Sequence, residues 1–227
     1  MKYNNDEYNI ITSENNIKYD KSVLNNIKKS PMNNDIVVLV AESGGGKDSL
    51  AQEMAEWGYK FVVSTTTRPM RESESEMNPY IFKTKDEFLA MESSGKFVEV
   101  RPYETLYKGK KDIWYYGVEK NQVNDDTAYV VVLDIQGLKN FKRVYGNRVK
   151  SFYIYVDENT RKERAMLRGG FDESEWNRRA IDDAKVFSKD EVLTNVDYII
   201  KNYNFNEAIQ SIATIIKKEL ADERIRI

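Results

Sequence analysis

The chain has 227 residues, enough for one α/β domain with inserted subdomains and for a sizeable core that needs no disulfides. Its 35 basic and 37 acidic residues nearly balance, so no global basic field would attract nucleic acid or an anionic membrane. Because the sequence contains neither cysteine nor histidine, disulfides, thiolate metal sites, cysteine nucleophiles and imidazole catalysis are excluded. The carboxylates, lysines, arginines and hydroxyls that remain suit phosphoryl transfer assisted by magnesium.

The first segment, residues 1–34, is rich in Asn, Lys and Tyr and ends in a turn pattern around Pro31, which predicts an extension before the folded domain. The longest apolar runs, such as residues 36–41, have the length of a strand and are too short to span a membrane. The polar N-terminus is unlike a secretory signal. We therefore expect a cytoplasmic protein without a membrane segment.

A strand, a glycine-rich loop and a helix are predicted next. The run DIVVLVA (35–41) is apolar and β-branched, and the loop AESGGGK leads into apolar residues at helical spacing, Leu50, Met54 and Trp57. Gly58 ends this helix, and a short strand is predicted at 61–63. This succession is typical of an α/β sheet that binds a nucleotide at the carboxyl ends of its strands.

The region 64–118 is polar and contains short predicted strands, YIF and FVEV, around a helix that begins with a capping box at Thr84 and Glu87. This pattern indicates an insertion into the sheet domain. The sheet then resumes, and the remaining predicted elements are strands at 128–135, 151–156 and 197–201, an arginine-rich helical stretch at 160–186, and an amphipathic helix at 206–220.

The glycine-rich loop has the context of a phosphate-binding loop. Gly44, Gly45 and Gly46 allow backbone N–H groups to turn towards an anion, the following helix N-terminus favours negative charge, and Lys47 can reach the outer phosphates. The usual first glycine is replaced by Ala41, and the usual hydroxyl after the lysine is replaced by Asp48, with Ser49 one position later.

A second candidate anion site follows in residues 64–82. Arg68 and Arg71 lie three residues apart and can clamp a phosphate with two guanidinium groups, and the phenol of Tyr80 can donate to it. Taken alone, such a charged run is more typical of a solvated loop than of an anion site.

The order of these motifs resembles the guanylate kinase family from about Asp35 to Leu220. That family's phosphate loop, Gly-Pro-Ser-Gly-x-Gly-Lys-Ser-Thr, is similar to Ala41-Glu42-Ser43-Gly44-Gly45-Gly46-Lys47-Asp48-Ser49. Its acceptor signature is similar to Ser64, Thr66-Thr67-Arg68, Arg71, Glu74 and Tyr80-Ile81-Phe82. Its later motifs are similar to Phe97-Val98-Glu99, Tyr115-Tyr116-Gly117-Val118, Asp134-Ile135-Gln136-Gly137, Arg164, Arg168-Gly169 and Asn177-Arg178-Arg179.

The resemblance implies an α/β fold of the P-loop kind: a three-layer sheet with helices on both faces, a core at 35–63, 119–159 and 187–227, a nucleoside-monophosphate-binding insertion at 64–118 and a helical lid at 160–186. It implies ATP as phosphoryl donor, with Mg²⁺, and GMP or dGMP as acceptor. The implied donor-site residues are Ser43, Gly44, Gly45, Gly46, Lys47, Asp48, Ser49 and Arg164, of which Asp48 and Ser49 would hold the metal. The implied acceptor residues are Ser64, Arg68, Arg71, Tyr80, Glu99, Tyr116 and Asp134, and Lys47, Arg168 and Arg179 would be catalytic.

Four positions depart from the family pattern. Asp48 stands where a serine binds magnesium, Val118 replaces a hydroxyl that helps to recognise guanine, Val132 replaces an acidic residue, and Met77 replaces a glycine. A carboxylate can hold magnesium through a water, or Ser49 can take that role. Loss of the hydroxyl at 118 predicts a retained but loosened preference for guanine.

Two alternatives remain open from the sequence. The ending Gly46-Lys47-Asp48-Ser49 is similar to that of viral deoxynucleoside monophosphate kinases, which favours an enzyme with a broader acceptor range. The other alternative is a catalytically inactive guanylate-kinase-like domain that binds proteins, a class that typically lacks the loop lysine and lid arginines. Because Lys47, Arg168 and Arg179 are present, the sequence favours an enzyme over this second alternative. The sequence gives no indication of the oligomeric state.

Overall fold

The structure is a computed structural model that describes residues 34–70, 74, 80–107, 110–124, 126–167 and 171–225. The predicted N-terminal extension, apart from Asn34, lies outside these residues, as do Arg71, Met77 and Arg168.

A parallel sheet forms the centre of the protein. Its strands are β1 (Ile36–Val40), β2 (Lys60–Phe61), β7 (Tyr129–Leu133), β8 (Val149–Tyr155) and β9 (Tyr198–Lys201), in the spatial order β2-β7-β1-β8-β9. Every pairing in this sheet is parallel, with Val38 of β1 opposite Val131 of β7 and Ser151 of β8. The predicted α/β class, with a sheet that begins at the strand before the glycine-rich loop, is confirmed.

Helices cover both faces of this sheet because its central strand is apolar on both sides. On one face, α1 (Lys47–Glu56) and α7 (Phe205–Ile225) pack against Val37 and Leu39. On the other face, α3 (Ile135–Tyr145) and α6 (Lys189–Asn195) pack against the alternate residues Ile36, Val38 and Val40. All five residues of β1 are fully buried, so this strand holds the glycine-rich loop on a rigid base.

A second sheet is formed within residues 65–119. Its strands are β3 (Thr65–Thr66), β4 (Ile81–Phe82), β5 (Phe97–Tyr107) and β6 (Lys110–Glu119), in the order β4-β3-β6-β5. The helix α2 (Lys85–Ser93) packs on it through Phe88, and its predicted capping box at Thr84 and Glu87 is present. The short predicted strand FVEV is the beginning of an eleven-residue strand, and the sequence analysis missed β6, because its charged and aromatic residues show no simple alternation.

Two helices, α4 (Glu158–Leu167) and α5 (Glu173–Val186), occupy the stretch predicted as helical at 160–186. They are separate elements, since Asp172 caps the start of α5 by accepting a hydrogen bond from the Glu175 N–H at 2.9 Å. Helix α6 was not predicted. Within the part of the chain that the structure describes, no helix is both long and apolar enough to cross a membrane.

Candidate active site

The glycine-rich loop joins β1 to α1, and its glycines are required by its geometry. Gly44 and Gly46 have φ values of +82° and +88°, a region that residues with a side chain rarely adopt. A Cβ at Gly44 would also lie 2.8 Å from the Arg161 carbonyl oxygen, and one at Gly45 would lie 2.8 Å from the Ala41 Cβ. The loop is therefore a close-packed turn whose backbone faces the start of a helix.

Side chains from distant strands and helices hold this loop in place. The Asn202 side chain donates from Nδ2 to the Gly45 carbonyl at 2.8 Å. The buried Arg161 guanidinium of α4 donates to the Ser43 carbonyl at 3.1 Å and to the Glu42 carboxylate at 3.0 Å. Tyr153 of β8 donates its hydroxyl to the same carboxylate at 3.0 Å. Burial raises the pKa of Glu42, and the Arg161 charge opposes this effect.

The helix α5 contributes a carboxylate to the loop. The backbone N–H of Ser43 donates to Asp183 Oδ2 at 2.6 Å, a contact between residues 140 positions apart in the chain. Lys47 lies in the first turn of α1, and its Nζ is 3.8 Å from the Asp48 carboxylate. The Asp48 side chain is 58% exposed, so its oxygens are accessible to a cation from solvent.

Arg68 lies behind the opposite wall of the site. It is buried and donates to the Glu74 carboxylate at 2.8 Å, and its guanidinium lies 5.3 Å from the centre of the Tyr80 ring. The Tyr80 ring in turn packs edge-on against Tyr116, with centroids 5.7 Å apart. Burial raises the pKa of Tyr116, and the nearby Arg68 charge lowers it. A fixed cation therefore lies beside two phenols that line the cleft, an arrangement that suits an anionic group.

Glu99 of β5 lies deeper in the same wall, opposite Val118 of β6. Its side chain is buried, and burial, followed by repulsion from Asp134, raises its pKa to about 8. Asp134 caps α3 by accepting from the Gly137 N–H at 2.7 Å, and it also forms an ion pair with Arg101 of β5. Thus the ion pair between Asp134 and Arg101 joins the carboxyl end of β7 in the central sheet to β5 in the second sheet.

Arg179 reaches the cleft from α5. Its Nε donates to Glu175 at 2.8 Å, and the neighbouring Arg178 donates to Glu175 and to the Tyr103 hydroxyl. Arg164 of α4 lies near the Gly46 end of the glycine-rich loop and donates to the Asn202 carbonyl at 2.7 Å.

A single cleft collects most of the predicted site residues. Its walls include Ser43, Lys47, Asp48, Ser64, Tyr80, Glu99, Tyr116, Asp134 and Arg179. Gly44, Gly45, Gly46, Ser49, Arg68 and Arg164 surround this cleft without lining it, while Arg71 and Arg168 lie outside the described residues.

Several cleft residues were missed by the sequence analysis. Arg101, Tyr103, Asp182 and Asp183 also line the walls. The position of Arg101 two residues after Glu99 on a strand was a usable signal, because such residues face the same side. No local pattern marked Asp183, since its contact with the loop depends on how α5 packs.

Comparisons with known proteins agree with this architecture. The family model described as guanylate kinase matches residues 33–219. The guanylate kinase of Thermotoga maritima is 30% identical over 198 residues, which cover 84% of this chain and 89% of that protein. The guanylate kinase of Rickettsia bellii is 31% identical over 191 residues, which cover 81% and 94%.

Among solved structures, the guanylate kinase from Anaplasma phagocytophilum superposes with a TM-score of 0.59 at 24% identity, covering 85% of this chain and 88% of that one. A gluconokinase from Sinorhizobium meliloti has a TM-score of 0.51 at 13% identity, covering 85% and 97%. These two likenesses bear on the fold. With the match to the family model over most of its length and relatives at 30% identity, the chain belongs to the guanylate kinase family.

Proposed function

We propose that this protein transfers the γ-phosphoryl group of ATP to a nucleoside monophosphate, GMP or dGMP. The observation that carries this proposal is the meeting of Lys47, Glu99, Tyr116 and Arg179 in one cleft between the central sheet and the second sheet. A phosphate loop and a second anion-binding wall that face each other allow donor and acceptor to be aligned, which supplies a large part of phosphoryl-transfer catalysis.

The donor half of the cleft would bind ATP. The loop amides between Ser43 and Gly46, the start of α1 and the Lys47 ammonium would neutralise the β- and γ-phosphates. Asp183 now accepts the Ser43 N–H, so its carboxylate would have to leave that amide before a phosphate oxygen could take its place. Arg164 would lie beside the adenosine end.

Magnesium fits the residues present at the start of α1. Within the described residues no group of three or more acidic side chains could hold a metal by itself, which agrees with an ion bound mainly by phosphates, water and one or two protein oxygens. Asp48, with its exposed carboxylate, and Ser49 would provide those oxygens. When bound, the ion would neutralise charge on the transferring phosphoryl group.

A test of this metal role is the Asp48→Ser variant, which restores the hydroxyl of the family pattern. We expect the magnesium concentration that gives half-maximal rate to change several-fold, because a carboxylate and a hydroxyl bind the ion differently. Unchanged magnesium dependence would contradict the assignment of Asp48, and Ser49→Ala would then be the next variant.

The acceptor half would bind the monophosphate. Arg68, Arg71, Tyr80 and Tyr116 would hold its phosphate, with Ser64 and Asp134 beside the nucleoside. Because burial raises the pKa of Glu99 to about 8, its carboxyl group would lose a proton when guanine binds, and the resulting carboxylate would accept the N1–H and N2–H donors of the base. The acceptor phosphate is its own nucleophile, so no separate general base is needed. Arg179 and Arg168 would close over the transferring group and stabilise its charge.

This function implies a division of labour along the chain. We propose residues 64–118 as the monophosphate-binding insertion, 160–186 as the lid, and 35–63, 119–159 and 187–227 as the core, after an extension at 1–34. Closure of the insertion and lid would exclude water, so that the phosphoryl group reaches the acceptor instead of being hydrolysed.

The decisive experiment is an ADP-release assay with ATP, magnesium and a panel of eight monophosphates: GMP, dGMP, AMP, dAMP, CMP, dCMP, UMP and dTMP. We expect GMP and dGMP to react fastest, with a weaker base preference than a hydroxyl at position 118 would give. Similar rates with GMP, dGMP, AMP and dTMP would favour the broader deoxynucleotide kinase. No ADP release with any acceptor, from a folded protein, would favour the protein-interaction domain.

A further inference from the structure

Arg101 is a charged residue of the acceptor wall to which the proposed function assigns no role. It lies two residues after Glu99 on β5, and both side chains line the cleft. In the pairing with β6, Glu99 lies opposite Val118 and Arg101 lies opposite Tyr116, and the register does not shift between Glu99 and Arg101. Their side chains therefore leave the same face of the strand, about 6.6 Å apart along it.

The guanidinium of Arg101 is only partly engaged by the protein. Its Nη1 forms an ion pair with Asp134, and its charge also partly offsets the burial that raises the pKa of Glu99. A guanidinium carries five N–H donors in a planar fork, so donors remain for a second group. The Arg101 side chain is 33% exposed, whereas the Asp134 side chain is 8% exposed, which leaves the arginine at the surface of the cleft.

The pair formed by Glu99 and Arg101 is complementary to the edge of a guanine. On one side guanine presents the N1–H and N2–H donors, which suit a carboxylate, and on the adjacent side it presents the O6 and N7 acceptors, which suit the fork of an arginine. The neighbour opposite Glu99 is Val118, an apolar and fully buried residue that can supply no hydrogen bond to these acceptors.

We propose that Arg101 is a specificity-determining residue that binds the O6 and N7 acceptors of the acceptor purine, while Asp134 orients its guanidinium. This inference rests on the proposed function, because it assigns the base of the acceptor to the wall formed by Glu99. It also predicts that adenine nucleotides are disfavoured, since adenine presents an amino donor where guanine presents O6, and this donor faces the cation.

The test compares GMP with 7-deaza-GMP, in which N7 is replaced by a carbon that accepts no hydrogen bond. Dissociation constants are measured by calorimetry and kcat/KM by ADP release, for the wild-type protein and for Arg101→Met. Methionine keeps an unbranched stem but has no N–H donor for O6 or N7. Lys111→Arg, a change at a cation outside the acceptor cleft, is the matched control.

The wild-type protein and the control are expected to bind GMP about 10-fold more tightly than 7-deaza-GMP, and Arg101→Met is expected to bind both equally. A structural role for Arg101 would weaken both ligands together and leave their ratio unchanged. Equal binding of the two ligands by the wild-type protein, or an unchanged ratio in Arg101→Met, overturns the proposal.

The binding measurement separates this inference from the proposed function. If GMP binds with the expected discrimination but no ADP is released, Arg101 recognises the base and the kinase activity is refuted. If ADP is released but the ratio does not depend on Arg101, the kinase stands and the inference is wrong. If GMP does not bind at all, both are overturned.

Discussion

The two halves of the cleft present different chemical groups, backbone in the donor half and side chains in the acceptor half. The donor half is mainly backbone: a short loop that follows a fully buried strand, with two glycines at positive φ and supports from Arg161 and Asn202. The acceptor half is mainly side chains, with Arg68, Tyr80 and Tyr116 packed against one another beside the second sheet. A backbone site recognises a phosphate chain whatever nucleoside carries it, whereas a side-chain site can be altered one residue at a time.

This difference predicts where the chain tolerates change. The departures from the family pattern in the donor half are the buried Ala41, the exposed Asp48, and Glu42, which is paired with the buried Arg161. In the acceptor half, Val118 and Val132 change the chemistry of the wall itself. Substitutions in the donor half should therefore affect stability or turnover, and those in the acceptor half should affect selectivity.

The largest effect is expected from Lys47→Ala, which removes the charge of the donor half. Loss of a fixed group that stabilises transition-state charge lowers kcat by about 100-fold to 1,000-fold. The measurement is steady-state ADP release with saturating ATP and GMP. The exposed Lys96, outside the cleft, provides the control, and Lys96→Ala should keep the wild-type rate. Equal rates for both variants would exclude Lys47 from the chemistry.

A change to the loop backbone should give the next largest effect. At φ +82°, Gly44→Ala adds strain of about 1 to 2 kcal/mol, and its Cβ, 2.8 Å from the Arg161 carbonyl, adds about 1 to 3 kcal/mol of overpacking. Gly95→Ala has a similar φ of +69°, but no atom lies within 4 Å of its Cβ. Its free energy of unfolding should therefore fall only by the contribution of backbone strain. Urea unfolding of the two variants measures the difference, and equal losses would show that the loop relaxes freely.

In the acceptor half, Tyr116→Phe should raise KM for GMP and leave KM for ATP unchanged. A hydrogen bond to a charged group contributes about 1.5 to 3 kcal/mol, which corresponds to about 10-fold to 150-fold in KM. Tyr115 is the matched control, because it packs on the other side of β6 against Phe88, with ring centroids 5.7 Å apart. A rise in KM for Tyr115→Phe as large as that for Tyr116→Phe would place the acceptor phosphate elsewhere.

A further effect in the acceptor half is spread over several pH units and concerns the pH dependence of stability. Burial and the charge of Asp134 raise the pKa of Glu99 from 4.5 to about 8, so the folded protein keeps a proton that the unfolded chain has lost. Stability therefore falls between these two pH values, by at most about 1.4 kcal/mol per pH unit. Glu99→Gln cannot titrate and should remove this slope.

The measurement is the free energy of unfolding from urea titrations at intervals from pH 4.5 to pH 9. The advantage of Glu99→Gln over the wild-type protein should be smallest at the acidic end and should stop growing above about pH 8. The exposed Glu92 provides the control variant Glu92→Gln. A constant difference between Glu99→Gln and the wild-type protein at every pH would mean that Glu99 ionises normally.

The sequence by itself determined the local elements and the motifs. The apolar run of β1, the glycines before Lys47 and the capping box of α2 depend on neighbours within a few residues, so their patterns predicted them correctly. The family resemblance, which rested on motif order, is confirmed by the match to the family model. The roles of individual site residues stay predictions.

Only the tertiary structure decided which distant groups meet. The contact of Asp183 with the Ser43 amide and the pairing of Arg101 with Asp134 join residues far apart in the chain. The hairpin of β5 and β6 likewise depends on pairing between strands, because its polar residues carry no periodic pattern of their own. Such contacts follow from how sheets and helices pack, which gives the cleft its charges and its selectivity.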